Sequence, residues 1–212
     1  MESIHHFLDF ILHLAENLPT LVKEHPDGIY ALLFAIIFTE TGLIVMPILP
    51  GDSLLFVAGA TCALGLLNIW IVIPILIIAA LLGDNVNYFV GKFFGDYVKS
   101  KERILFFKRE YIEQTHAFYE KNGGKTVIMA RFVPIVRTVA PFVAGAGSMT
   151  YSKYIVNCLL GAVLWVAGIT ILGYALGNIP VIHDHIKVVE LIIIIVSILP
   201  IAIGFIRSRV AK

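Results

Sequence analysis

Gly123-Gly-Lys-Thr-Val-Ile-Met-Ala-Arg131-Phe-Val-Pro134-Ile-Val-Arg137-Thr-Val-Ala-Pro141-Phe142-Val-Ala-Gly-Ala146 is an apolar segment interrupted by two prolines and two arginines. Its last five residues, Phe-Val-Ala-Gly-Ala, also occur at Phe56–Ala60. That earlier copy follows an apolar stretch broken in the same manner, by Pro47 and Pro50, but its charges, Glu40 and Asp52, are acidic. A duplicated, broken, charged segment among apolar runs is the sequence trace of a transporter's central site. One copy is acidic and the other basic, so the two are suited to face each other.

The surrounding chain supports a membrane setting. It has 212 residues, 58% hydrophobic and 15% charged, too apolar for a soluble domain of this size. Apolar runs lie at 29–49, 69–91, 127–147, 155–177 and 188–206; a span needs about 20 residues. The N-terminus lacks a basic start, and His5, Asp9, His13 and Glu16 interrupt any apolar core there, which argues against a cleavable signal peptide.

Proline removes a backbone donor and clashes with the preceding turn, so no straight helix runs through 29–66. A hairpin that dips in and returns is more economical, provided protein or a wet cavity surrounds its irregular backbone. Residues 3–22 read as an amphipathic helix, with Phe7, Ile11, Leu14 and Leu18 at spacings of three and four. A second amphipathic stretch is expected over 104–121, before the arginine segment. The spans that close the two units end in matched Gly-x-x-x-Gly patterns, Gly91–Gly95 and Gly173–Gly177. These are read as helix-packing contacts.

The expected fold class is therefore all-α integral membrane, one membrane domain over 1–212. Repeat 1 covers 1–95, with a hairpin at about 29–66 and a span at about 69–91. Repeat 2 covers 96–177, with a hairpin at about 127–150 and a span at about 155–177. A C-terminal transmembrane helix follows at 188–206. Lys92, Lys99, Lys101, Arg103, Lys108, Arg109, Lys121 and Lys125 crowd the middle of the chain, and Arg207, Arg209 and Lys212 its end. The positive-inside rule puts both in the cytoplasm. That orientation works if both broken segments are re-entrant hairpins entering from opposite faces, so the repeats are inverted. Acids interleave with the central bases, which argues against nucleic acid as a partner.

Charged side chains at the bilayer centre cost about 2.5–3.5 kcal/mol each on insertion scales. Glu40, Asp52, Arg131 and Arg137 left alone would cost roughly 10–14 kcal/mol, a whole domain's stability. They must pair, meet water or lie near an interface. One reading is simple ion pairing between hairpins. The other is a transport site: Arg131 and Arg137 present forks of donors suited to phosphate oxygens, and the break at Pro134 brings them to one pocket. Glu40 and Asp52 can exchange protons when desolvated and so couple or gate. Asp84 and Asn87 are candidate cavity-lining residues, with helix–helix hydrogen bonding as the alternative. Cys62 and Cys158 lack metal or redox spacing and read as apolar packing. His183-Asp184-His185 has no further ligands beside it, so no metal and no cofactor are expected.

The arginine stretch from Gly123 to Gly145 closely resembles the signature of the DedA membrane-protein family, also described as the VTT or SNARE-associated domain. So do Glu40-Thr-Gly with Pro47-Ile-Leu-Pro50-Gly51-Asp52-Ser53, and Gly83-Asp84-Asn-Val-Asn87-Tyr88-Phe-Val-Gly91. The resemblance covers nearly the whole chain and points to the DedA subgroup. It implies a multi-pass protein of the bacterial inner membrane, with opposed re-entrant hairpins, that moves undecaprenyl phosphate across the membrane for lipid-carrier recycling. Eukaryotic relatives scramble phospholipids, and some bacterial members depend on the proton-motive force, so protons are a second expected partner. The family's functional acids and arginines fall on Glu40, Asp52, Arg131 and Arg137. The expected function is lipid transport rather than enzymatic. The alternatives are a proton-coupled small-cation transporter, an envelope homeostasis factor without lipid flux, and a lipid phosphatase. The last would want a histidine in the hairpins, and none is there. Oligomeric state is not set by the sequence.

Overall fold

The computed structural model describes residues 14–24, 28–43, 51–99, 103–104, 107–108, 123–147, 149–177 and 179. Seven helices lie within them: α1 Leu14–Glu24, α2 Ile29–Gly42, α3 Gly51–Ala63, α4 Ile69–Lys99, α5 Lys125–Ala130, α6 Pro134–Ala146 and α7 Tyr151–Gly177. A two-residue antiparallel pair, β1 Arg103–Ile104 and β2 Phe107–Lys108, sets Arg103 opposite Lys108. This short pair stands where the sequence reading began a second amphipathic helix; the fold is otherwise helical, as expected. Pro47, Pro50, the remainder of that stretch, His183–His185 and the 188–206 helix lie outside the described residues.

Helix length separates two classes of element. At about 1.5 Å per residue, α4 with 31 residues and α7 with 27 each exceed the ~30 Å hydrocarbon thickness. Their apolar windows are only 33% buried, so most of each surface is a face of Leu, Ile, Val and Phe that suits lipid and not water. Trp70, 85% exposed near the start of α4, suits a membrane–water interface. By contrast α2, α3 and α6 have 14, 13 and 13 residues, about 20 Å each, too short to cross.

The chain folds as two compact units, each drawn from distant parts of the sequence. The first holds α1, residues 29–36 of α2, α3, residues 69–77 of α4 and residues 166–177 of α7. Helix α3 is its interior: Gly51 and Ser53 through Cys62 are all buried. Gly65, at φ 74°, takes the left-handed conformation that ends α3, and its N–H donates to the Cys62 carbonyl. The pentapeptide of α3 meets α7 at backbone distance. A Cβ on Gly59 would strike the Thr170 carbonyl, and one on Gly173 would strike the Phe56 carbonyl.

The second unit holds residues 37–42 of α2, 78–99 of α4, the strand pair, α5, α6 and residues 151–165 of α7. Its interior groups Tyr88, Val127, Ala144, Tyr154 and Cys158, with the Tyr88 and Tyr154 rings stacked at 4.3 Å. The second pentapeptide repeats the contact of the first. A Cβ on Gly145 would strike the Tyr88 carbonyl, and one on Gly91 would strike the Phe142 carbonyl. Each pentapeptide thus seats its phenylalanine backbone on a glycine of the long helix from the other half of the chain. Gly91, Gly173 and Gly177 all serve packing, as their spacing suggested; Gly177 would place a Cβ 2.6 Å from Ala60 Cα.

Candidate functional site

The site lies wholly within the second unit and starts at a helix break. Helix α5 stops at Ala130, Arg131 and Phe132 form a turn, and Val133 is extended at φ −116°, ψ 107°. Pro134 then opens α6. Proline disfavours helical backbone in the residue before it and is well placed at a first helical position, so the sequence writes this interruption locally. Pro141, expected as a second break, sits inside α6, which continues through it. Its ring costs one donor, the N–H that would otherwise meet the Arg137 carbonyl, without ending the helix.

The break leaves Arg131 at the end of one helix and Arg137 in the first turns of the next. Both are buried, at 3% and 7% exposure. Arg137 donates from Nη2 to Glu40 Oε1 at 2.6 Å. Arg131 pairs through Nη2 with Asp84 Oδ2. Both guanidiniums lie over the same buried indole, Trp165, with Cζ 4.4 Å from the ring centroid for Arg137 and 5.7 Å for Arg131. Each cation over a desolvated tryptophan face gains about 0.5–2 kcal/mol, which offsets part of the repulsion between two like charges held close together.

Close backbone approaches set these positions. Gly42 and Gly83 meet where α2 passes α4: a Cβ on Gly42 would lie 3.3 Å from Gly83 Cα, and one on Gly83 would strike Thr41 Oγ1. This contact stations Glu40 and Asp84 beside the crossing. Asn87 fastens it, donating to the Thr41 carbonyl at 2.7 Å and reaching the Thr138 carbonyl of α6 at 3.4 Å. On the α7 side, Gly161 clears room for Arg131, whose Cδ and Nε would lie 3.4 Å from a Cβ there. Asp84 is held twice more: Tyr154 donates its hydroxyl to the Asp84 carbonyl at 2.9 Å, and the Cys158 thiol lies 3.2 Å from Oδ2.

The sequence-derived residues therefore divide. Arg131, Arg137 and Glu40 come together. Asp84 and Asn87 join them with larger roles than cavity lining: Asp84 is the counter-ion of Arg131, and Asn87 ties three helices. Asp52 stands in the first turn of α3, half-buried, in the first unit. Trp165 and the polar contacts of Cys158 escaped the sequence reading. A tryptophan amid apolar residues of a span gives no sign that it will meet two arginines, and a lone cysteine reads as packing. Cys158 does pack, but it also touches both charges of the ion pair. A surface recess of about 790 Å³ lined by Phe89, Val90, Lys92, Phe93 and Phe94 contains none of these residues. Among the described residues no cluster of His, Cys, Asp and Glu could hold a metal ion.

Arg131 Nη1 is buried and finds no hydrogen-bond partner among the described residues. A buried donor left unmade costs about 1–3 kcal/mol, more on a charged group, so it marks a place where an acceptor from elsewhere would be favoured.

Two span-length apolar helices and short helices carrying a buried ionic cluster define a helical membrane protein. The chain belongs to the DedA family: the VTT domain matches residues 43–175. It is similar to Protein DedA of Escherichia coli strain K12, 50% identical over 211 residues, covering 99% of this chain and 96% of that protein. An uncharacterized membrane protein of Mycobacterium leprae is 40% identical over 195 residues, covering 90% and 87%. The inner membrane protein YqjA of Escherichia coli strain K12 is 33% identical over 168 residues, covering 79% and 76%. No solved structure matches the chain.

Proposed function

We propose that this protein moves an anionic lipid phosphate across the bacterial inner membrane, with undecaprenyl phosphate as the substrate that the family resemblance favours. The observation that carries the reading is the pair of buried arginines on one indole, with Arg131 Nη1 left without an acceptor among the described residues. Phosphate oxygens match such donors in charge and geometry. In this reading Arg131 and Arg137 receive the head group while the lipid tail stays in the bilayer. Glu40, paired with Arg137, and Asp52 act as the coupling or gating acids, with protons as the coupling ion.

The architecture in this reading is a pair of re-entrant hairpins entering from opposite faces, with the C-terminus in the cytoplasm. Support comes from the central excess of Lys and Arg, from helices too short to cross, and from the reciprocal contacts of Phe56 with Gly173 and Phe142 with Gly91. The small-cation alternative, which uses Glu40 and Asp52 as its primary site, loses ground because Glu40 is already paired with Arg137 at 2.6 Å.

The test is flux of labelled undecaprenyl phosphate in proteoliposomes. Arg131→Ala and Arg137→Ala each abolish flux in this reading. Wild-type flux in both variants would sink it. A transport rate that does not change when the protein is left out would favour an envelope factor, and release of free phosphate from the lipid would make the protein a phosphatase.

A further inference from the structure

The contacts of Arg131 are lopsided. Nη2 serves both Asp84 and, at 3.5 Å, the Cys158 sulfur, while Nη1 of the same planar group serves nothing among the described residues. Asp84 is anchored independently of that ion pair. Its backbone carbonyl takes the Tyr154 hydroxyl at 2.9 Å, and its Oδ2 has the Cys158 thiol at 3.2 Å. The carboxylate would therefore keep a donor if the arginine left it.

A phosphate binds a guanidinium best through both terminal nitrogens at once. An anion that first engages Nη1 lies next to the Asp84 carboxylate. Two such charges side by side in a desolvated site repel strongly. Both cannot hold Arg131 together. Resting on the lipid-phosphate reading above, we infer that Asp84 is a displaceable counter-ion: the head group takes Arg131 by expelling the Asp84 carboxylate from Nη2. The carboxylate remains held by Cys158 and returns when the lipid leaves. Asp84 is thus an internal competitor of the substrate. It keeps the buried guanidinium compensated in the empty site, where an uncompensated charge would be costly, and it limits how tightly the lipid is held.

This assignment predicts a gain, which a merely structural role for Asp84 does not. The full chain in phosphatidylcholine nanodiscs is titrated with dodecyl phosphate. Binding is followed by Trp165 emission in a Trp70→Phe background, because the chain has two tryptophans and Trp70 is the exposed one. Asp84→Asn and Asp84→Ser, two neutral variants, are expected to bind about tenfold tighter, ~1.4 kcal/mol, while Asp84→Glu stays near wild type. In the wild-type side-chain background, isotope-edited infrared spectra with labelled aspartate are expected to show a carboxylate band moving on ligand addition, and Asp84→Glu removes that band. Equal or weaker binding by the neutral variants, or an unmoved carboxylate band while ligand binds, overturns the displacement and leaves the lipid-phosphate reading standing. Failure of the wild type and both neutral variants to bind dodecyl phosphate overturns both.

Discussion

Arg137 reaches from the beginning of α6 to Glu40 near the end of α2, and the two meet at 2.6 Å across 97 positions of sequence. Both are buried. Removing one partner of such a pair strands the other charge and costs about 3–5 kcal/mol, whereas replacing both with apolar or neutral groups is often close to neutral. Glu40→Ala and Arg137→Ala are each expected to lower the unfolding midpoint in detergent markedly. The double variant Glu40→Gln/Arg137→Met should recover much of that loss. Recovered stability without recovered flux would separate the pair's structural work from its transport work.

Trp165 supports both guanidiniums. Trp165→Phe keeps an aromatic face with a weaker quadrupole, and we expect reduced lipid flux with a small change in stability. Trp165→Ala removes the face and opens a cavity costing about 3–5 kcal/mol. Thermal unfolding and proteoliposome flux measured on the same preparations check this. Equal flux for wild type and Trp165→Phe together with Trp165→Leu would show that the indole is filler.

The reciprocal glycine contacts should answer to substitution in parallel. Gly91→Ala and Gly173→Ala each drive a methyl into a phenylalanine carbonyl, so the helices must separate, at about 1–3 kcal/mol. Gly168→Ala on α7 is the control, since a Cβ there meets nothing within 4 Å. It should leave stability unchanged or raise it by up to about 1 kcal/mol through helix propensity. Unfolding in denaturant compares the three.

The proposed orientation is open to labelling with membrane-impermeant maleimide in cells. The native thiols Cys62 and Cys158 are buried and provide a quiet background. Asn68→Cys, in the exposed connection between α3 and α4, should react from outside. Ser152→Cys, exposed at the start of α7, should react only after permeabilisation. The reverse pattern would turn the whole topology over, and equal reaction of both from outside would remove the inverted hairpins.

Much of this was legible in the residues. Span-length runs gave α4 and α7, the arginine spacing around Pro134 marked a true helix break, and the terminal glycines signalled close packing. These are local facts: hydropathy over a window, the backbone rules of proline, the size of a side chain. What stayed hidden depends on register between distant helices. Nothing near Asp84 says that it will face Arg131 and that Asp52 will belong to another unit. The Gly42–Gly83 contact sets where Asp84 stands relative to Glu40, since two backbones must meet there at one position. Trp165 and Cys158 depend instead on how α7 lies against Arg131, where Gly161 leaves room. Pro141 shows the limit of a local rule: α6 continues through a proline that removes only one donor.

The exchange of pentapeptides between repeats also fixes an order of events during synthesis. Helix α3 is complete by Ala63, yet the glycine that receives Phe56 is Gly173. Until the ribosome has made α7, the Gly59 face of α3 lacks the helix it packs against. A chain halted between the two halves would leave that small-residue surface unmatched. Completing the second half is thus what closes the first, and a lesion late in the gene would leave α3 without the helix it packs against.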